Sequence, residues 1–245
     1  MFDKNIQIPN MLNRLIEICF VICIPATIVC TAVLTAFNAD SVYTRGFEKY
    51  GISQKTGISD SELLKVTNEI QNYFNSNKEL LDTKTVIYGE TKPLFNQREI
   101  HHMKDVKSLV RGIYWILIIS AAYICIVSIL RLTPTTITLS IAKLVLYGSL
   151  STIAIICLFG LLALLEFESL FLLFHKISFS NDLWILDPMT DYLIIMFPTG
   201  FWFDATLLIA TTTICIAGIT ASLSAGVLMC RRWITMDNKN QLPNG

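Results

Sequence analysis

Four stretches of this chain run without a single charge: Ile18 to Phe37, Gly112 to Leu130, Leu144 to Leu165 and Ala205 to Cys230. A helix needs about 20 apolar residues to cross the hydrocarbon core of a bilayer, and each stretch meets that length. With 53% hydrophobic residues and a mean hydropathy of +0.56, the 245-residue chain is too apolar for a water-soluble domain. The pattern predicts an all-α fold, a four-helix transmembrane bundle. It forms a single membrane domain over residues 1–245, with spans at about 15–37, 109–131, 142–167 and 202–230. A small, mainly helical extracytoplasmic insert, about residues 38–108, lies between the first two spans. The first span is read as an uncleaved anchor, because its apolar core is too long for a signal-peptide h-region.

Short loops set orientation, since long translocated segments largely ignore the charge rule. Arg14 precedes the first span, Arg131 and Lys143 bracket the loop between the second and third, and Arg231 and Arg232 follow the fourth. Both termini are therefore expected in the cytoplasm. The loop from Glu166 to Asp191 carries Glu166, Glu168, Asp182, Asp187 and Asp191 against Lys176 alone, which suits the outer face. Lys104, Lys107 and Arg111 lie on that same side and act against the assignment.

In the insert, Ser59-Asp-Ser-Glu62 reads as a capping box, followed by Leu63, Val66, Ile70 and Phe74 at helical spacing. Thr85 to Tyr88 reads as a short extended piece. Asn96-Gln-Arg-Glu99 gives a second capping signal, and no breaker follows before Gly112, so one helix is expected from Gln97 through the second span.

The 19 basic and 19 acidic residues cancel and form no long basic run, so neither nucleic acid nor a polybasic membrane patch is indicated. All seven cysteines lie in or at the end of apolar runs and read as small hydrophobes, with no disulfide framework.

Chemistry near neutral pH has few candidates, because the chain holds only three histidines: His101, His102 and His175. His102 lies just before the second span, three residues from both Glu99 and Asp105, and His175 lies just after the third. The aromatic residues that follow, among them Phe179 and Trp184, have the composition of an interfacial belt. Two imidazoles at neighbouring helix mouths could flank a lipid ester, one removing a proton from a nucleophile and the other supporting the oxyanion or leaving oxygen. No Gly-x-Ser-x-Gly elbow is present, so direct transfer is expected rather than a serine nucleophile.

Phe95-Asn-Gln-Arg-Glu99-x-x-His102-Met-Lys-Asp105-Val106-Lys107, paired with Phe174-His175-x-x-x-Phe179-x-x-x-x-Trp184 and the later Phe197-Pro198, resembles the bacterial lipoprotein intramolecular transacylases called Lit. The likeness extends to the four-span layout and the outer insert. It implies that the sn-2 acyl chain of a diacylated bacterial lipoprotein moves to the amino group of the lipid-bearing N-terminal cysteine, giving a lyso-form, with no cofactor and no metal. It further implies that His102 and His175 are the catalytic pair, with His175 favoured as base, Asp105 orienting His102, and Trp184 with Phe179 shaping the pocket. The implied setting is a bacterial cell membrane, with membrane lipid around an active site at the outer interface. The doubled His101-His102 leaves open which imidazole is used; spacing to Asp105 and Val106 favours His102.

Two other readings stand beside this one. A metal-dependent membrane hydrolase would bind zinc through His102, His175 and Asp105 or Asp187, although no short His-x-x-x-His spacing supports it. A non-enzymatic membrane adaptor would present the apolar stripe of the Ser59 to Phe74 helix to a partner protein. A channel or transporter is disfavoured, because charges inside the spans are nearly absent.

Overall fold

The computed structural model describes residues 10–131 and 136–240; the predicted single domain's remaining residues, and part of the loop between the second and third spans, lie outside them. Four long helices carry the four apolar stretches: α1 (Asn10–Phe37), α5 (Gln97–Leu130), α6 (Thr136–Ser178) and α8 (Thr199–Asn240). Each is long and apolar enough to cross a membrane, so the chain is a multi-pass, all-α membrane protein. Between α1 and α5 come α2 (Asp40–Tyr50), α3 (Ile52–Thr56), α4 (Asp60–Asn75) and a hairpin of β1 (Lys84–Ile87) and β2 (Glu90–Pro93). A short α7 (Tyr192–Met196) precedes α8.

The chain divides into two compact units. Of the described residues, the first comprises 10–30, 116–131, 136–157 and 212–240. Its core joins Phe20, Ile24 and Ile28 of α1 to Val127 of α5, Leu144 of α6 and Ala217 of α8. Apolar contact has little net driving force between helices in lipid, so close approach and side-chain hydrogen bonds matter more. Gly148 supplies the approach: a Cβ there would stand 2.6 Å from Ile24 Cβ. Polar ties among the described residues include Thr27 Oγ1 donating to Ser120 Oγ at 2.8 Å, Tyr123 Oη donating to the Ile16 carbonyl at 3.1 Å, Ser149 with Thr220 at 2.8 Å, and Arg131 with Glu17 at 3.1 Å.

The second unit comprises residues 31–115 and 158–211. In it α4 buries Leu63, Val66, Ile70 and Phe74, the stripe that its spacing predicts. Burial of that stripe leaves the adaptor reading without its contact face. Ser59 Oγ accepts the Glu62 N–H at 3.3 Å, so half of the predicted capping box forms. The Glu62 carboxylate turns instead to Lys65 and Thr85. Thr85 to Ile87 is extended as expected, but Tyr88 is the first turn residue: Tyr88 and Gly89 have φ of 49° and 86°, the left-handed pair that a two-residue hairpin turn requires. Tyr43, Phe47, Phe197 and Phe201 form an aromatic core, with ring centroids 5.2 to 6.5 Å apart. Gly46 admits the Phe201 ring, whose Cδ2 would lie 2.4 Å from an added Cβ.

All seven cysteines are free thiols, and all lie on the four long helices: three in α1, one each in α5 and α6, and two in α8. The insert between α1 and α5 has none.

One helix differs from expectation. The charges at Glu166 and Glu168 predict the end of the third span and the start of a loop, but α6 continues to Ser178 through a single non-helical residue, Glu166 (φ −146°, ψ 53°). Charge ends an apolar span without ending a helix, and Ser169 to Phe174 contains neither Gly nor Pro to stop it.

Candidate active site

The position of His102 follows from how α5 begins. Asn96 Oδ1 accepts the Glu99 N–H at 3.1 Å and Glu99 Oε2 accepts the Asn96 N–H at 2.7 Å, a complete reciprocal cap. The helix then continues unbroken, as expected, and carries His102 one turn past Glu99 on the same face. His102 is 6% exposed, and its Nδ1 is buried with no hydrogen-bond partner.

His175 sits on the stretch of α6 beyond the Glu166 kink. Its Nδ1 lies 2.7 Å from the carbonyl oxygen of Phe171, one turn earlier. A carbonyl only accepts, so the neutral ring carries its proton on Nδ1 and leaves the lone pair of Nε2 free. The Phe171 ring adds an edge-to-face contact at 4.4 Å.

The two imidazoles meet, with ring centroids 6.2 Å apart and planes inclined by 31°. Phe179 lies 5.0 Å from His102 and 5.7 Å from His175, and Trp184 lies 5.1 Å from His175. Thus His102, His175, Phe179 and Trp184 form one cluster. Both histidines fall outside the uncharged membrane-crossing stretches, His102 before Gly112 and His175 after Leu165. Burial holds His102 down to about 4, helped by the nearby His175 and opposed by the charge of Asp105. Burial also lowers His175, against the hydrogen bond to Phe171. Both rings are therefore neutral at physiological pH.

Asp105 is placed differently from its expected role. Its Oδ2 accepts from Asn181 Nδ2 at 2.9 Å, so the carboxylate ties α5 to the segment after α6 and touches His102 only through its field. His101 is exposed and acts electrostatically on Glu79, apart from the cluster. Among the described residues no three His, Cys, Asp or Glu side chains come together to hold a metal ion, so the zinc ligand set of the hydrolase reading is not assembled.

A buried polar network beside the cluster is larger than sequence reading shows. Glu99, 1% exposed, uses Oε1 to accept the Leu193 N–H at 2.7 Å. Asn96 Nδ2 donates to Asp191 Oδ1 at 2.9 Å, and Asp191 Oδ2 accepts the Asp187 N–H at 2.8 Å. Burial raises the Glu99 carboxyl, with the two backbone N–H donors opposing. The capping motif signals the Asn96–Glu99 half, but nothing local signals Asp191 or Leu193.

Residues 18–202 match the model of the family described as lipoprotein intramolecular transacylase Lit. An uncharacterized protein of Aquifex aeolicus is 26% identical over 200 residues, covering 81% of this chain and 88% of that one. The in meso structure of the membrane integral lipoprotein intramolecular transacylase Lit from Bacillus cereus superimposes with a TM-score of 0.79, at 22% identity over 92% of this chain and 100% of that one. A form of that protein with one histidine replaced by arginine gives a TM-score of 0.74, at 22% identity over 91% and 95% of the two chains. The solved structures share the fold, and the family model reaches from the first apolar stretch through both histidines to the start of α8, so this chain belongs to the lipoprotein intramolecular transacylase Lit family.

Proposed function

We propose that this membrane protein moves the sn-2 acyl chain of a diacylated lipoprotein to the α-amino group of its N-terminal cysteine, without a cofactor, and so makes the lyso-form. The amine nitrogen attacks the ester carbonyl, a C–N bond forms, the C–O bond to the glycerol breaks, and no water is consumed. Ester and amine belong to one molecule, so the enzyme's task is to fold them together and manage one proton.

The observation that carries the reading is the complementary state of the two rings. His175 offers a bare Nε2 because its Nδ1 is committed to the Phe171 carbonyl. It takes the proton from the attacking nitrogen and, as imidazolium, returns it to the departing glycerol oxygen. His102 has a buried, unpartnered Nδ1, and leaving a lone pair there costs less than burying an unmatched N–H. Its Nε2–H then donates to the oxyanion as a neutral electrophile. Trp184 and Phe179 line the approach and exclude water.

The chain is read as one membrane domain in a bacterial cell membrane, with cytoplasmic termini and the histidines at the outer interface, consistent with its short-loop charges. Mass spectrometry of a defined diacylated lipopeptide incubated with purified protein tests the reaction. Appearance of the N-acyl lyso-product supports it, and an unmodified substrate refutes it.

A further inference from the structure

Two ties join α5 to the segment after α6, one on each side of His102 in sequence. Asp105 with Asn181 is the later tie, and Asn96 and Glu99 with Asp191 and Leu193 form the earlier one. The earlier tie is built at a cost. Glu99 and Asp191 are 1% and 8% exposed, and the nearby Asp191 raises the cost of charging Glu99. Among the described residues neither carboxylate forms a salt bridge. Starting a helix needs none of this, since Asn96 Oδ1 alone caps α5. The second oxygen of Glu99 and the amide of Asn96 instead reach partners 94 and 95 residues away, immediately beyond the segment that bears Trp184.

We propose that Asn96, Glu99 and Asp191 are positioning residues for the acyl transfer: their network fixes the His102 end of α5 against the Phe179–Trp184 segment and so sets the separation of the two imidazoles. This rests on His102 and His175 being the reacting pair. The network touches neither ring; it acts by holding two backbone segments in register, where a displacement of about 1 Å can cost a factor of 10² in rate.

Three variants test it: Asn96→Ser, Asn96→Asp, and Asn96→Asp combined with Asp191→Asn. Serine keeps the helix cap through its hydroxyl but loses the link to Asp191. Aspartate sets a third carboxylate against Glu99 and Asp191, and the double change restores the link with donor and acceptor exchanged. The expected result for Asn96→Ser is kcat lowered about tenfold, KM within about twofold, Tm nearly unchanged, and faster hydrogen exchange at the Asp187 amide. Asn96→Asp should fall further and the double variant should recover most of kcat. Unchanged kcat in Asn96→Ser, a loss confined to KM, a loss that simply tracks Tm, or no recovery in the double variant overturns the proposal. Should the wild-type protein form no N-acyl product, the functional reading fails separately, and unchanged exchange at Asp187 in Asn96→Ser still overturns the positioning role.

Discussion

His175 Nδ1 stands 2.7 Å from the carbonyl oxygen of Phe171, one helical turn behind it on α6. This backbone contact does for His175 what a carboxylate does in a serine-protease triad, fixing which nitrogen holds the proton, but it adds no charge. A carbonyl partner raises the basicity of the ring less than a carboxylate would. In the proposed mechanism the half-buried ring therefore stays neutral and suits an attacking amine whose reference pKa is near ~8.

Replacing either histidine separates the two roles. His175→Ala should lower kcat by about 10² to 10⁴, the usual worth of a positioned general base. His102→Ala should lower it by about 10² to 10³, the worth of one oxyanion donor. Both are read as N-acyl product per unit time, with circular dichroism and Tm showing retained fold. Activity that survives both changes removes the pair from the mechanism.

Protonation of His102 should make the protein acid-labile. Its folded-state pKa, about 4, lies below the ordinary 6.5, so the unfolded chain binds more protons between those values. Stability from this residue is therefore fully present above about pH 6.5 and lost as pH falls toward about 4, by about 3 kcal/mol in total. Thermal unfolding in detergent across that window checks it, and His102→Phe should flatten the slope.

Trp184 packs against His175, with its ring centroid 5.1 Å from the imidazole. Burial is the main cause of the lowered His175 pKa, so Trp184→Ala should move the acid limb of the kcat/KM profile upward, toward about pH 6.5. Trp184→Phe should hold the limb nearly in place. An identical acid limb in wild type and Trp184→Ala counts against burial as the cause.

Gly148 lets α6 approach α1 in the first unit. A methyl group there meets Ile24 Cβ at 2.6 Å, so Gly148→Ala should cost about 1 to 3 kcal/mol by overpacking. Gly160→Ala, with nothing near the added carbon, serves as the control on the same helix. Tm in detergent for the two variants reads the difference.

What the sequence displays is what local chemistry determines. The single helix from Gln97 to Leu130 is legible because Asn96 and Glu99 announce its start and nothing between them and Leu130 breaks it. The buried face of α4 is legible from its spacing. Helix continuation past Glu166 is not, because a charge marks the edge of lipid and says nothing of the backbone beyond. Within the site, the meeting of His102 and His175 follows from their similar places at two helix ends. The partner of Asp105 does not: His102 is three residues away in sequence, yet Asn181, 76 residues on, takes the carboxylate. Contacts such as Glu99 with Leu193 belong to the tertiary fold and leave no local trace.

The confinement of every thiol to the long helices makes the insert a blank background for chemical mapping. A cysteine introduced at Tyr88, 77% exposed on the hairpin turn, would stand alone among the insert's residues for a charged maleimide added outside intact cells. Labelling before lysis would put the hairpin on the exterior of the cell, and labelling only after lysis would invert the topology.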